Sequence, residues 1–299
     1  MITLSALAAL HDEFAADLAR PVADVEVAGL VVGDAAPVVM GVVNLSRDSS
    51  YRESVAVSAA HAVRMGRVQA LQGAGIVDLG AESSDIGTRR AGPDEQIAAL
   101  VPVVEELSEH VVVSVETYEP AVVEATLRAG ARVLNMTGRQ HEDEMLSLAA
   151  QHDAAVVLCW GEVANVREIS EIDRGGVASD PFPAMVDHFG ARLERARELG
   201  ATKLVVDPGI GFYYSNLAEP VSRAEHQVKV LAQSFRLRSL GVPVCNALPT
   251  AFDLFGEELR IAEAFFGVLT QLGGTHVHRT HEVPKLAAVL GAMGGLSVR

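Results

Sequence analysis

Polar residues interrupt the apolar runs of this sequence at places where only chemistry or a paired partner justifies them. Asp78 lies inside GIVDLG, Asn135 inside ARVLNM and Asn246 inside PVCNAL, while Asn44, Glu116 and Asp207 stand at the ends of VVMGVVN, VVVSVE and KLVVD. An amide or carboxylate in such a run costs several kcal/mol unless it is paired, so these groups must bond one another or meet a ligand. Singly, each has a structural reading: Asp78 can accept backbone N–H groups at a loop, Asn246 can satisfy a chain turn, and His276 and His278 can be core histidines. Together, Glu116, Asn135 and Asp207 offer amide and carboxylate groups that match the edge of a nitrogen heterocycle bearing an amino-pyrimidinone. A second set is cationic. Arg279 and His281 form an Arg-x-His at the end of THVHRTH, and Arg47, Arg89 and Arg90 follow the first two runs. The Arg-x-His pair also reads as a solvated closure of the last strand; gathered on one rim, the arginines would hold and help expel an anionic leaving group.

The elements that must position these groups follow from the apolar pattern. Eight short runs rich in β-branched residues occur at 38–44, 75–80, 111–116, 131–136, 154–160, 203–209, 243–248 and 275–281. Between them VAVSAAHAVRMGRVQALQGAG, DEQIAALVPVVEELSEH, AVVEATLRAGA and DEMLSLAAQHDA carry apolar residues at helical spacing. Near-continuous apolar strands imply burial on both faces, and eight of them alternating with helices predict a (β/α)8 barrel, an α/β fold. A doubly wound open sheet shares the alternation, but the count of eight favours the barrel. Residues 161–201 contain an irregular excursion before a helix around 184–199. The first 37 residues contain a short helix and, in DVEVAGLVVGD, two brief strands turning at Gly33-Asp34, so we expect an N-terminal helix and hairpin cap over 1–37 on a single barrel domain over 38–299. In such a barrel reacting groups come from the C-terminal ends of the strands, which is where the unusual polar residues collect.

Composition narrows the partners. The chain has 299 residues, 49% of them apolar, enough for one large core without metals or disulfides. Lys plus Arg number 24 against 39 Asp plus Glu, a net charge of −15 that argues against nonspecific binding to nucleic acid or to an anionic membrane. Cys159 and Cys245 lie far apart in apolar runs and read as buried free thiols in a reducing compartment. The N-terminus lacks a basic stretch and soon meets His11, Asp12 and Glu13, which argues against a signal peptide. No run approaches the roughly 20 apolar residues of a membrane span. The expectation is a cytoplasmic protein.

Five segments, GVVNLSRDSS, GIVDLGAESSDIG, VVVSVETYEPAVVEATLRAGARVLN, LVVDPGIGF and HVHRTHEV, follow one another in an order and spacing that resembles the dihydropteroate synthases and the wider pterin-binding barrel family. The resemblance covers about residues 38 to 290. It implies a barrel that pairs as a homodimer through helices near its C-terminus. It also implies a transferase that joins 6-hydroxymethyl-dihydropterin pyrophosphate to an amine, p-aminobenzoate in the synthases, with loss of magnesium-bound pyrophosphate. By the same resemblance Asn44 helps hold Mg2+ and pyrophosphate, Asn135 and Asp207 hydrogen-bond the pterin, and Arg279 and His281 bind the pyrophosphate. Glu116 stands where the family has Asp, one methylene longer. Asp78, Asn246, Arg47 and Arg89 complete the expected substrate-binding set.

The sequence departs from the family pattern in four places. The first loop, Asn44 to Ser50, lacks the family's proline and phenylalanine; Asp85 replaces an arginine in the second loop; Ala247-Leu248 stands near the position of a family lysine; and Tyr213-Tyr214 replaces a glycine-lysine. These losses fall more on the aminobenzoate side than on the pterin side and weigh against p-aminobenzoate as the acceptor. Two other readings compete: a one-carbon transferase of specialised metabolism acting on a reduced folate, similar to the methyltetrahydrofolate methyltransferases, and a non-catalytic pterin-binding protein.

Overall fold

A computed structural model describes residues 1–46, 48–49, 51–83, 88–161, 164–165, 168, 180–210, 217 and 219–297, with Leu259 described by its backbone alone. All eight expected runs form strands: β3 Val38–Asn44, β4 Ile76–Gly80, β5 Val112–Glu116, β6 Val133–Met136, β7 Ala155–Cys159, β8 Leu204–Asp207, β9 Cys245–Ala247 and β10 Val277–Thr280. They pair in parallel in the order β8-β7-β6-β5-β4-β3-β10-β9. A parallel bridge between Val206 and Val244 brings the two ends together, with the Val206 amide 3.0 Å from the Pro243 carbonyl. This is the (β/α)8 barrel, and the open sheet is excluded.

Helices wrap the barrel, and their starts are legible in the sequence. Ser58 accepts the His61 amide ahead of the helix Ala59–Leu71, and Glu219 accepts the Val221 and Ser222 amides ahead of Pro220–Ala232. Proline occupies the first turn of Pro93–Leu107, Pro120–Ala129, Phe182–Glu198 and Val283–Gly295, where its missing N–H costs nothing.

Strand alternation divides the core in two. Val39, Val43, Val77, Leu79 and their equivalents face outward and pack with helix residues such as Leu100, Phe189 and Phe266. Val38, Met40, Ile76, Val157, Val205 and Val277 face inward, in a cluster that also holds Val25, Val27 and Val32 of the N-terminal strands β1 Val25–Val27 and β2 Leu30–Val32. The hairpin therefore forms an apolar floor at the N-terminal end of the barrel.

The hairpin turn falls at Ala28-Gly29, five residues before the expected Gly33-Asp34. Val27 pairs with Leu30, and the two residues between them have φ of 48° and 82°. Positive φ at both central positions suits the twist of a two-residue hairpin. An alanine in that region carries a steric cost, which is why the sequence did not advertise the turn. A second turn does occur near the expected place, between the bridged residues Gly33 and Ala36, and it feeds the chain into β3.

Asp34 in this second turn fastens the N-terminal segment to the barrel. Its carboxylate accepts both terminal nitrogens of Arg238, at 2.7 and 2.8 Å, and lies 3.2 Å from His276 Nε2. The Arg238 hydrogen bonds hold the Asp34 pKa down to about 2. Asp34 is half exposed, so water screens the pair and its contribution is about 1 kcal/mol. Because the folded pKa is depressed, the contribution is present above the ordinary aspartate value of 3.8 and is lost as pH falls through about 2. Urea denaturation of Asp34→Asn should therefore show a loss of about 1 kcal/mol at neutral pH. The gap from wild type should narrow as the solution is acidified below about pH 4.

Candidate functional site

Above the apolar floor the inward positions turn polar. Asp78 on β4 accepts the Ser114 hydroxyl of β5 at 2.6 Å on one oxygen and the Asn135 amide of β6 at 2.9 Å on the other. The Asn135 carbonyl faces the Cys159 thiol of β7 at 3.6 Å. Asp207 on β8 accepts the Gly209 amide at 2.8 Å through one oxygen and has the Cys245 thiol beside it, while its buried Oδ2 has no hydrogen-bond partner. Register explains the grouping: Asp78 lies opposite Ser114, and Glu116, two residues farther along the same strand, lies opposite Asn135, so neighbouring strands bring these side chains together.

Arg279 of β10 reaches into the middle of this group. One terminal nitrogen lies 3.7 Å from Asp78 Oδ2 and 3.6 Å from Glu116 Oε2, and the other lies 3.9 Å from Asp207 Oδ2. These separations are ion pairs without direct hydrogen bonds. Arg279 Nε, like Asp207 Oδ2, is buried with no partner. Burial opposes the Arg279 charge, but the three carboxylates outweigh it and raise its pKa, so the guanidinium stays charged. Burial also raises Asp207, against the pull of Arg279. Glu116 is lifted to about 7 by burial first, with Arg279 opposing and Asp78 and Asp207 adding to the rise. Burial pushes the Cys159 and Cys245 thiols well above their ordinary range, which keeps them protonated.

The rim beside β10 and β3 is built differently. Asn44 donates to Ser49 Oγ at 3.1 Å and Ser54 Oγ at 2.7 Å, which fixes its amide plane. His281 lies 2.9 Å through Nδ1 from Glu263 Oε1 and stacks on Tyr51 with centroids 4.4 Å apart. The second Glu263 oxygen accepts the Thr280 hydroxyl and the His281 and Glu282 amides. Glu282 in turn gathers Tyr51 Oη at 2.5 Å, Arg260 Nε at 2.5 Å and Lys285 Nζ at 2.6 Å.

The structure thus brings Asp78, Glu116, Asn135, Asp207 and Arg279 into one cluster, with Asn44 at the end of β3 and His281 just beyond the end of the adjacent β10. Three expected members are elsewhere. Asn246 has outward parity on β9 and donates to Ser234 Oγ at 3.0 Å and Thr275 Oγ1 at 2.6 Å behind the strand, because the register of β9 turns Cys245 and Ala247 inward. Arg89 is exposed and engaged with Glu95, and Arg90 lies over the Tyr118 ring near Glu82, so these two arginines do not join Arg279 in a basic rim. Arg47, Asp85 and Tyr213-Tyr214 lie outside the described residues. His278 and His276 are core histidines: His278 meets Thr270, and burial lowers it to about 3; His276 accepts the Val244 amide and is also lowered by burial.

Sequence reasoning passed over Ser114, Cys159, Tyr51, Glu263 and Glu282. Ser114 was findable, since it lies two residues before Glu116 and shares its face of the strand. Cys159 likewise shares the inward parity of Val157. Glu263 is 18 residues from its partner His281, on the helix Leu259–Leu272, and carries no local signal.

The magnesium expected at Asn44 finds little support in the donor set. Among the described residues no group of three or more His, Cys, Asp or Glu is placed to hold a metal ion. Asn44 contributes a single neutral carbonyl oxygen, which does not fit a protein-held Mg2+.

This polar cluster inside a (β/α)8 barrel can now be set beside known proteins. The family model described as pterin binding enzyme matches residues 40–254. The chain belongs to that family. It is 28% identical to the dihydropteroate synthase of Bacillus subtilis over 272 residues, covering 86% of this chain and 88% of that one. It is 30% identical over 260 residues to a probable bifunctional folylpolyglutamate synthase/dihydropteroate synthase of Haloferax volcanii, of which it spans only 30%. Among solved structures, a Xanthomonas albilineans dihydropteroate synthase with 4-aminobenzoic acid superposes with a TM-score of 0.75 at 26% identity, over 93% of this chain and 99% of that one. The Thermus thermophilus enzyme in complex with 4-aminobenzoate gives 0.73 at 25% identity, over 92% and 100%.

Glu263 is 1% exposed and holds four groups in place, so Glu263→Ala leaves the His281 ring nitrogen, the Thr280 hydroxyl and two amides without their acceptor. The expected loss is about 2–4 kcal/mol, with Glu263→Gln losing less, read from chemical denaturation.

Proposed function

We propose that this protein is a pterin-dependent transferase that replaces the pyrophosphate of a 6-hydroxymethyl-dihydropterin pyrophosphate with an amine. The observation that carries the reading is the pair of buried atoms without hydrogen-bond partners, Asp207 Oδ2 and Arg279 Nε, among side chains that inward strand positions deliver into the barrel. A buried acceptor and a buried donor left open cost free energy that a heterocycle presenting N–H and ring-nitrogen groups would recover.

The chain's own residues would act by position and charge. Asp207, Asn135 and Glu116 hold the ring, with Asp78 and Ser114 fixing the Asn135 amide from behind. Arg279 offsets part of the carboxylate charge and presents its open Nε. At the rim, Glu263 engages Nδ1 of His281, so that the doubly protonated ring would offer its Nε2 proton to an anion, and Asn44 presents its carbonyl edge. The methylene carbon–oxygen bond breaks with its electron pair going to pyrophosphate, the amine nitrogen bonds to the methylene, and its proton leaves to water. Orientation and stabilisation of the departing anion supply the rate, with no protein nucleophile. The altered first and second loops weigh against p-aminobenzoate as that amine.

Asp207→Asn and Asn135→Ala should each weaken pterin binding by about ten- to a hundredfold in calorimetry. Unchanged affinity would show that the ring binds elsewhere. Turnover of the pterin pyrophosphate with a panel of amines, read as pyrophosphate release, tests the transfer itself. Pterin binding with no release for any amine would favour the non-catalytic reading.

The reading includes a homodimer. Ile261, Phe265, Val268 and Leu272 are exposed on the helix Leu259–Leu272 at spacings of four, three and four residues, a continuous apolar stripe suited to a second copy. Phe265→Glu should halve the mass seen by light scattering. Among the described residues no helix is long and apolar enough to cross a membrane.

A further inference from the structure

Hydrogen-bonding capacity at the barrel cluster is lopsided. Both Asp78 oxygens are occupied by Ser114 and Asn135, one N–H of the Asn135 amide goes to Asp78 while the other stays open, and its carbonyl faces Cys159. Asp207 Oδ2 and the Glu116 carboxylate remain as acceptors for a ligand, against Arg279 as the cationic donor. The chain has three lysines, and none enters the barrel: Lys203 pairs with Asp153, Lys285 with Glu282, and Lys229 lies on the helix Pro220–Ala232. An amino-pyrimidinone edge presents a carbonyl and ring nitrogens as well as N–H groups, and a protonated Glu116 would add a neutral donor beside the charged one that Arg279 supplies.

Charge points the same way. The groups facing Glu116 are Asp78 of β4, Asn135 of β6 with Thr137 beyond it, Cys159 of β7, Asp207 of β8 and Arg279 of β10. Three carboxylates against one guanidinium leave a net charge of −2 when all are ionised. Asp78 and Asp207 are 2% and 1% exposed, while Glu116 is 21% exposed and keeps contact with water. A neutral ligand that seals the barrel removes that water from Glu116 more than from the others, which favours its uncharged form.

We propose that Glu116 is a specificity-determining residue that works as the neutral acid, donating its O–H to an acceptor atom of a neutral nitrogen heterocycle, so that the ligand binds together with a proton. This deepens the pterin reading and rests on it. Glutamate serves here because its carboxyl, already lifted toward neutrality, needs little further shift to be protonated in the complex. The sign follows from linkage: binding that takes up a proton is tight below the pKa of the free site and weakens above it, by up to about tenfold per pH unit.

Calorimetry with 6-hydroxymethylpterin, in two buffers of different ionisation enthalpy, reads the proton directly. Near pH 7.5 the wild-type protein should take up about half a proton or more per ligand bound. Glu116→Gln, which is permanently uncharged, should lose that uptake and show a flatter affinity from pH 6 to pH 8 than wild type. Titration of the ligand itself is common to both proteins and cancels between them. Equal uptake by the two proteins, or zero uptake by wild type, overturns the proposal even when Asp207→Asn and Asn135→Ala weaken binding, and the pterin reading then stands without it. No binding of the pterin by wild type at any pH overturns both.

Discussion

One guanidinium among three carboxylates organises this barrel. Arg279 lies within 4 Å of Asp78, Glu116 and Asp207, delivered from four different strands. Buried carboxylates at such short range repel one another strongly, and without a counter-ion the group would have to take up protons or open the barrel to water. The same arginine is what keeps the cluster receptive, because it approaches all three partners without closing a direct hydrogen bond to any of them. Charge balance and ligand recognition at this level are therefore one constraint.

That constraint is effective because of what lies beneath and around it. The hairpin side chains Val25, Val27 and Val32 close the floor with inward residues such as Met40 and Val157, so the acid cluster rests on apolar contacts. Asp34 and Arg238 fasten the segment that feeds the first barrel strand. At the opposite end the rim is held by two carboxylates whose hydrogen bonds are nearly all internal: Glu263 fixes His281 and Thr280, and Glu282 gathers Tyr51, Arg260 and Lys285. The barrel thus passes from an apolar floor through an under-satisfied polar middle, where Asp207 and Arg279 leave buried bonding capacity open, to a braced rim.

The eight strands and most of the acid cluster were legible because the signals are local. A run such as GIVDLG states both that it is a buried strand and that Asp78 is out of place in it. Ser114 and Cys159 carried the same information through strand parity. Asn246 misled because parity in a three-residue strand depends on a register that the sequence does not print, and the register turns Cys245 and Ala247 inward. Arg89 misled because a loop arginine takes the nearest carboxylate, here Glu95 six residues on, as readily as a distant anion. Glu263 was invisible, since a glutamate within a helix signals nothing until the helix is laid against the end of β10.

What the sequence determined by itself was the alternation of strand and helix, the family, and the residue types that must be buried together, since period and composition act over a few residues at a time. What only the tertiary structure decided was which buried groups share a partner. Closure of the barrel sets Arg279 against three carboxylates and leaves Asp207 Oδ2 and Arg279 Nε open. It also leaves Glu116 with the most water to lose. Those outcomes depend on distances between strands far apart in the chain, and such distances exist only once the sheet has closed.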